Sequence, residues 1–180
     1  MNKKKKINLD ETFYVAGASG MVGSAVVRTL KKNGYGKKNN GGNILIPSRK
    51  ELDLLNSEEV DQWIKAHKPT VVIIAAAKVG GIFANSNQPY DFLLENLKIQ
   101  TNLIEASFKN NIKRLLFLGS SCIYPKFAKQ PIKEEYLLSS ELETTNEWYA
   151  LAKIAGIKLC QSLRAQHNFD SISLMPTNLY

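Results

Sequence analysis

Four side chains of this chain have the types and the spacing needed to move a proton to or from an oxygen atom. Ser120 and Cys122 follow the apolar run 115–118, which is typical of a buried parallel strand. Tyr149 and Lys153 are four residues apart, which on a helix places them about 6 Å apart along one face. An ammonium group beside a phenol favours the phenolate and lowers the pKa of the tyrosine from about 10. Tyr149 could then exchange a proton with a carbonyl or an alcohol near neutral pH.

A glycine-rich turn lies directly between a predicted strand, 13–16, and a predicted helix, 21–32. Its glycines allow backbone amides to approach a pyrophosphate, and the helix N-terminus adds N–H groups and the positive end of its dipole. The alternative, a small-residue turn without a ligand, is disfavoured by the strand and helix on either side. The residues predicted to hold the pyrophosphate are Gly17, Ala18, Ser19, Gly20, Met21, Val22 and Gly23.

In isolation the spacing of Tyr149 and Lys153 is more typical of a surface pair, but together with this turn it indicates a functional pair.

The residues after the second predicted strand, 44–46, indicate which dinucleotide fits. An acid there would accept a hydrogen bond from a ribose 2′-OH, whereas an arginine accommodates a 2′-phosphate. Arg49 occupies this place, and a planar guanidinium suits phosphate oxygens. The sequence therefore favours NADP(H) over NAD. Two alternatives stay open, since Glu51 and Asp53 are close by and Arg49 could be an ordinary surface residue.

The elements that must position these residues alternate between apolar strand-like runs and segments of helical period. This alternation predicts βαβ units and an α/β fold with a Rossmann-type doubly wound parallel sheet. Ligands of such sheets bind outside the carboxyl ends of the strands, where the serine, the cysteine and the glycine turn are expected. The predicted strands, the third very short, are 13–16, 44–46, 53–54, 71–74, 115–118 and 171–175. The predicted helices are 21–32, 57–67, 89–110 and 147–166.

The connections between these elements also carry local signals. Ser57 is a predicted N-cap, and acidic residues in the following turn favour the positive end of the helix dipole. The stretch 33–43 is rich in Gly, Asn and Lys and predicts a flexible loop. Residues 75–88 are predicted to form a second loop.

The composition bounds the classes of protein to consider. A chain of 180 residues with 44% hydrophobic and 22% charged residues predicts one globular domain. We assign 1–12 to a basic flexible tail and 13–180 to an NADP(H)-binding Rossmann domain. Part of the formal net charge of +8 comes from Lys3–Lys6, and most lysines are expected to be solvated. The excess of basic over acidic residues would also suit anionic ligands such as nucleotides. No aromatic residues alternate with the lysines, so nucleic acid is not an expected partner.

Cysteine content and hydropathy give further expectations. The two cysteines are too few for a disulfide scaffold and lack the spacing of metal ligands, so no metal site is predicted. The residues after the N-terminal lysines are too polar for a signal peptide. The longest apolar run, 71–77, is too short to cross a bilayer. A cytoplasmic protein without membrane contact is expected.

Motifs along the chain resemble a known family. Gly-x-x-Gly-x-x-Gly, the strand-end serine and Tyr-x-x-x-Lys resemble the extended short-chain dehydrogenases/reductases. Within that family, four blocks are similar to the GDP-L-fucose synthases, and the two middle ones are specific. The similarity runs from about residue 13 to 180, and the blocks are 75–82, 119–125, 149–156 and 176–180.

The resemblance implies a reaction and a role for each motif. These enzymes epimerise GDP-4-keto-6-deoxy-mannose at C3 and C5 and then reduce C4 with NADPH. By matching position, Tyr149 would protonate the C4 oxygen, and Ser120 would hydrogen-bond the same oxygen. Lys153 would bind the nicotinamide ribose and lower the pKa of Tyr149. Cys122 would act as acid or base in the epimerisation, and Arg49 would hold the 2′-phosphate. The residues expected along the nicotinamide are Pro176, Thr177, Asn178 and Leu179.

The chain also departs from the family pattern. Relatives often carry a basic residue where this chain has Ser19. Members of the family continue past the last residue here, so the C-terminal substrate domain, and the histidine that partners the cysteine, would be missing. Neither His67 nor His167 aligns with that histidine, and both are expected to face solvent.

Several interpretations therefore remain open. The chain would be the cofactor-binding part of a GDP-L-fucose-forming epimerase/reductase, or a truncated, inactive NADP(H)-binding remnant. A related GDP-deoxyhexose is an alternative substrate, and a nucleotide-sensing protein is a weaker reading. The resemblance also implies a homodimer through helices 89–110 and 147–166.

Overall fold

The computed structural model describes residues 7–177 and Leu179. Its sheet has five strands, all parallel, in the order β2-β1-β3-β4-β5. This arrangement confirms the predicted α/β class and Rossmann-type parallel sheet. The strands are β1 Phe13–Ala16, β2 Ile44–Leu45, β3 Val71–Ile74, β4 Arg114–Leu118 and β5 Ser171–Leu174.

Helices lie on both faces of the sheet. Three of them, α2, α4 and α5, pack over one face, and α1 packs against β1 on the other. The larger core lies under the three helices, where sheet residues such as Ile74 and Phe117 meet Leu103, Ile104 and Ile157. The helices are α1 Met21–Lys32, α2 Ser57–His67, α3 Ile82–Asn87, α4 Pro89–Lys109 and α5 Glu147–His167.

Three local expectations are corrected. Residues 53–54 form a turn and not a strand, because an Asp53 carboxylate oxygen accepts a hydrogen bond from the Leu55 amide at 3.0 Å. The N-cap of α2 is Asn56, whose side chain accepts from two amides of the first turn, and Ser57 is the first helical residue. The predicted loop 75–88 contains the short helix α3.

The segment 7–12, assigned above to the tail, contacts the domain. The Tyr35 hydroxyl donates to the Ile7 carbonyl at 2.8 Å, and the Thr12 amide donates to the Thr70 hydroxyl at 3.0 Å. Lys113 and Glu11 form an ion pair at 3.0 Å. Lys3–Lys6 lie outside the described residues. The stretch 33–43 holds a short 3₁₀ helix, Lys38–Asn40, between turns.

One part of the sheet lacks a helix over it among the described residues. Ile172 and Leu174 of β5 point to the face that carries α1, and 38% and 47% of their surface is exposed. Their neighbours on β4, Leu116 and Leu118, are half-buried. Across residues 7–177 no helix is both long and apolar enough to span a membrane.

Candidate active site

Ser120 and Cys122 come together where β4 ends. Gly119 passes close to β5, and a Cβ built there would lie 2.8 Å from the Met175 sulfur. Ser120 then caps a single 3₁₀ turn, Ser121–Ile123. Its hydroxyl oxygen accepts from the Cys122 thiol at 3.0 Å. The strand end therefore delivers a hydroxyl and a thiol as one hydrogen-bonded pair.

Lys153 links helix α5 to the same strand end. Its side chain is 3% exposed, and its Nζ donates to the Leu118 carbonyl oxygen at 2.8 Å. The Nζ lies 5.7 Å from the centroid of the Tyr149 ring and 4.8 Å from that of Phe117. The predicted pair on α5 thus meets Ser120 and Cys122 at the carboxyl edge of β4. The Leu118 carbonyl, which orients the lysine, gives no signal in the sequence.

The approach of α5 to the sheet depends on Gly156, one turn beyond the lysine. A Cβ built on Gly156 would lie 2.6 Å from the Phe117 ring and 2.9 Å from the Gln100 amide carbon. Gln100 is buried in α4 and donates its side-chain N–H to the Ala152 carbonyl of α5. The contact between α4, α5 and β4 therefore has no room for a side chain at Gly156.

Burial controls the protonation of the lysine and the tyrosine. Burial lowers the pKa of Lys153 to about 8. Burial, with a smaller contribution from the charge of Cys122, raises the pKa of Tyr149 to about 12. The lowered tyrosine pKa expected from the sequence is thus not observed, because desolvation of the phenolate dominates. Near pH 7 Tyr149 is a neutral phenol, which is the protonation state that a proton donor needs.

Cys122 is also neutral near pH 7. Burial raises the pKa of its thiol, and the Ser120 hydrogen bond and the charge of Lys153 oppose the shift. The opposing contributions show that Ser120, Cys122 and Lys153 share one electrostatic environment. A thiol in this state can donate a proton, after which the Ser120 hydroxyl can turn to donate to the thiolate and the charge of Lys153 stabilises it.

The three glycines of the turn 17–23 meet different steric demands. Gly17 has a φ of +83°, and a Cβ there would lie 2.6 Å from the Ala76 amide nitrogen. A Cβ on Gly23 would collide with the Gly17 carbonyl. Gly20 has an ordinary φ of −76°, and its built Cβ has no neighbour closer than 3.4 Å. Gly17 and Gly23 are required by the fold, whereas Gly20 leaves open space at the start of α1.

The start of α1 can accept an anion. No side chain caps Gly20, and the first turn of α1 holds no acid. Met21 is 59% exposed at this end. Because the first amides of a helix have no partner within the helix, this end suits a pyrophosphate. The predicted set Gly17, Ala18, Ser19, Gly20, Met21, Val22 and Gly23 forms this turn and the first turn of α1.

The turn after β2 carries Arg49 on its exposed surface. The two acids that left the choice of dinucleotide open are bonded to the local backbone. A Glu51 carboxylate oxygen accepts from the Ser48 amide at 2.8 Å, and Asp53 accepts from the Leu55 amide. The acids therefore stabilise the turn, and the guanidinium stays exposed.

The loop after β3 is held by a residue that the sequence reasoning missed. Asn96 of α4 is 2% exposed, and its side chain bonds both the amide and the carbonyl of Lys78, at 2.8 and 3.0 Å. An asparagine on the apolar face of a predicted helix is the signal that could have identified it. Asn96 fixes the loop beside the glycine turn, where the Ala75 amide donates to the Ala16 carbonyl at 3.0 Å.

The segment after β5 lies next to the serine and the cysteine. The Pro176 carbonyl accepts from the Ser121 amide at 3.1 Å. Thr177 is exposed, and Leu179 is 46% exposed. Asn178, also predicted to line the nicotinamide, lies outside the described residues.

The two histidines lie away from this edge. His67 is exposed and stacks on Trp63 with ring centroids 4.0 Å apart, and His167 is exposed beside Phe108 at 4.7 Å. Neither contacts Cys122. Residues 7–177 contain no cluster of three His, Cys, Asp or Glu side chains that could hold a metal ion.

A parallel sheet with a glycine turn after β1, and with Ser120, Tyr149 and Lys153 at the carboxyl edge of β4, defines a Rossmann-fold protein of the short-chain dehydrogenase/reductase type. The chain belongs to the NAD dependent epimerase/dehydratase family, whose model matches residues 13–180.

Several relatives at 50–55% identity are named as GDP-L-fucose synthases. GDP-L-fucose synthase 1 of Arabidopsis thaliana is 55% identical over 167 residues, which are 93% of this chain and 50% of the relative. GDP-L-fucose synthase of Escherichia coli is 50% identical, again over 93% of this chain and 50% of the relative. A GDP-D-glycero-L-gluco-heptose synthase from Campylobacter jejuni, solved in the presence of NADPH, superposes with a TM-score of 0.90 at 40% identity, over 97% of this chain and 49% of that one. The chain spans about half the length of the curated relatives it matches.

Proposed function

We propose that this chain is the NADP(H)-binding portion of a GDP-sugar epimerase/reductase of the GDP-L-fucose synthase type. The observation that carries the proposal is the meeting of Ser120, Cys122, Tyr149 and Lys153 at one strand edge. The glycine turn at the start of α1 lies at the same edge of the sheet. The names of the relatives support a GDP-sugar as the substrate class.

The proposed reaction has two parts, a reduction and an epimerisation, and different side chains serve each part. For reduction, NADPH supplies the hydride, and neutral Tyr149 donates a proton to the sugar oxygen while Ser120 hydrogen-bonds that oxygen. Lys153 presents its remaining N–H groups to the nicotinamide ribose. For epimerisation, the Cys122 thiol exchanges a proton with a carbon α to the ketone. A basic partner for this step is not found among the described residues near Cys122.

NADP(H) is the cofactor that the turn after β2 favours. The Arg49 guanidinium is exposed, whereas Glu51 and Asp53 bond the backbone. A titration followed by energy transfer from tryptophan to the nicotinamide tests this assignment, and Trp148, next to Tyr149, is a suitable donor. We expect NADPH to bind at least about tenfold more tightly than NADH, because only NADPH carries the phosphate that Arg49 would hold. Arg49→Ala should remove this difference, and equal affinities in the wild type would contradict it.

A related GDP-sugar is the second candidate substrate. The Campylobacter jejuni structure is named for a GDP-heptose rather than for GDP-fucose, and it superposes on this chain with a TM-score of 0.90. Incubation with NADPH and either GDP-4-keto-6-deoxy-mannose or a GDP-4-keto-heptose, followed by product chromatography, tests whether the chain alone turns over one of them. We expect the chain alone to bind NADPH without turnover, as an inactive remnant would also do. Turnover of either sugar at a rate typical of an enzyme would contradict that expectation and identify the substrate.

The remaining assignments stay predictions. We propose 13–180 as the cofactor-binding domain, with 1–12 before it. A homodimer through α4 and α5 is implied by the family resemblance, and a cytoplasmic location is expected from the sequence. Thr177, Asn178 and Leu179 are proposed to line the nicotinamide together with Pro176.

A further inference from the structure

Two adjacent cations stand in the turn that follows β2. Arg49 and Lys50 are both exposed. Neither takes part in any ion pair between the described residues. A pair of neighbouring cations without a carboxylate partner is suited to an anion from outside the chain.

The charge of the turn depends on Lys50. Glu51 accepts from the Ser48 amide at 2.8 Å, and this bond lowers the pKa of its carboxyl group, so Glu51 is ionised at neutral pH. The charge of Glu51 offsets that of Arg49 within the same turn. Within 48–51, Arg49 and Glu51 alone would cancel, and Lys50 makes this segment net positive; with Asp53 included, Lys50 balances the second acid.

The neighbouring glycine turn, which is proposed to hold the pyrophosphate, offers no cation of its own. The turn 17–23 contains no charged side chain and has Ser19 as its one polar side chain. The two turns follow adjacent parallel strands, because Tyr14 of β1 pairs with Leu45 of β2. They therefore lie side by side at the carboxyl edge of the sheet, and the turn after β2 brings two exposed cations there, whereas Lys78 of the loop after β3 is paired with Asp91 and Glu95.

We propose that Lys50 acts together with Arg49 on the 2′-phosphate of NADP(H), so that the preference over NAD(H) depends on two cations. This inference rests on the proposed function. A phosphate monoester carries a charge of about −1.5 to −2 near pH 7, more than one guanidinium offset by a carboxylate can neutralise. Arg49 supplies directed hydrogen bonds, and Lys50 supplies a mobile point charge.

The test measures the dissociation constants of NADPH, NADH and 2′,5′-ADP for the full chain and for Lys50→Gln and Lys50→Glu. Lys32→Gln and Lys32→Glu are matched controls, since Lys32 is an exposed lysine in the last turn of α1. We expect Lys50→Gln to weaken NADPH and 2′,5′-ADP by about three- to tenfold, and Lys50→Glu by more than tenfold. NADH affinity should stay within about twofold throughout.

The outcomes separate this inference from the proposed function. A wild-type preference for NADPH that Lys50→Gln and Lys50→Glu leave unchanged would overturn the role of Lys50 and leave the role of Arg49 standing. Equal weakening of NADPH and NADH, or the same loss in the Lys32 variants, would also overturn it, because the effect would then be general. A wild-type chain that binds neither dinucleotide would contradict the proposed function and this inference together.

Discussion

Lys153 shows how a single buried residue couples folding to the proposed chemistry. Its ammonium is held by the Leu118 carbonyl in a place where its pKa falls to about 8. The same desolvation keeps Tyr149 protonated. Near neutral pH the pair is therefore a neutral phenol beside a lysine that is still mostly charged. This is the arrangement needed to donate a proton and to hold a ribose hydroxyl.

Replacing Lys153 with methionine should change the pH dependence of stability. Below about pH 8 the lysine is charged in both states, and the folded state bears the cost of burying the charge. Between about pH 8 and the unfolded value of about 10.4, only the unfolded state keeps the proton, so the contribution of this group to stability rises with pH. The free energy of unfolding of Lys153→Met, relative to wild type, should therefore fall by on the order of 2 kcal/mol from pH 7 to pH 10.

Urea unfolding at the two pH values measures this change. The constant loss of the bond to Leu118 affects both values alike, so only the difference between them matters. Lys158→Met is the control, because Lys158 is exposed on the same helix. A relative stability of Lys153→Met that is the same at pH 7 and pH 10 would show that the lysine titrates normally in the folded protein.

At the scale of elements, the glycines of the turn 17–23 have different roles. Gly17 and Gly23 are required by the fold, whereas Gly20 is explained by a bound ligand. Gly17 and Gly23 have no space for a side chain, and the space beside Gly20 is open. Gly20 also has a backbone conformation that any residue can adopt. The fold alone does not explain a glycine at this position, whereas a pyrophosphate close to the backbone does.

Alanine substitutions at the two glycines should therefore have different effects. Gly20→Ala should change the free energy of unfolding by less than about 1 kcal/mol and weaken NADPH binding more than tenfold, because the methyl group occupies the space of the pyrophosphate. Gly23→Ala should reduce both stability and binding, since its methyl group meets the Gly17 carbonyl. Thermal unfolding and NADPH titration measure the two properties. Unchanged NADPH affinity in Gly20→Ala would exclude a ligand at this turn.

Apart from 53–54, every predicted strand and helix lies within a residue of its observed bounds. The signal is continuous in β1, β3 and β4, because buried parallel strands are uniformly apolar, and α1 follows a glycine turn. The sequence predicts a very short strand at 53–54, but the Asp53 side chain accepts a hydrogen bond from the backbone and the chain turns there. α3 has only six residues and too little periodicity to detect. The raised pKa of Tyr149 depends on tertiary burial, which local spacing does not encode.

At the scale of the whole molecule, the sheet is covered unevenly. α2, α4 and α5 bury one face, whereas on the other face α1 lies over β1 and leaves Ile172 and Leu174 exposed among the described residues. Among the described residues β5 is also an edge strand, whose outer backbone groups have no neighbouring strand. An exposed edge strand with apolar side chains favours association between chains.

The double variant Ile172→Thr, Leu174→Lys should reduce self-association of the purified chain. The two changes place polar groups on the exposed face and a charge on the edge strand, while the larger core under α2, α4 and α5 is untouched. Sedimentation velocity over a concentration series should show a smaller associated fraction, with little change in the free energy of unfolding. Leu55→Lys, at a residue of similar exposure far from β5, is the control. An equal decrease in this control would assign the effect to net charge.

The missing side chain at Gly156 has a consequence for how this scaffold can diverge. Gly156 sets how closely α5 approaches β4, and Lys153 reaches the Leu118 carbonyl from one turn away. A larger residue at Gly156 would move the helix outward and carry the ammonium with it. Loops at the sheet edge can therefore change to accommodate new substrates. Gly156, although it has no functional group, restricts how far α5, the helix that bears Lys153, can change.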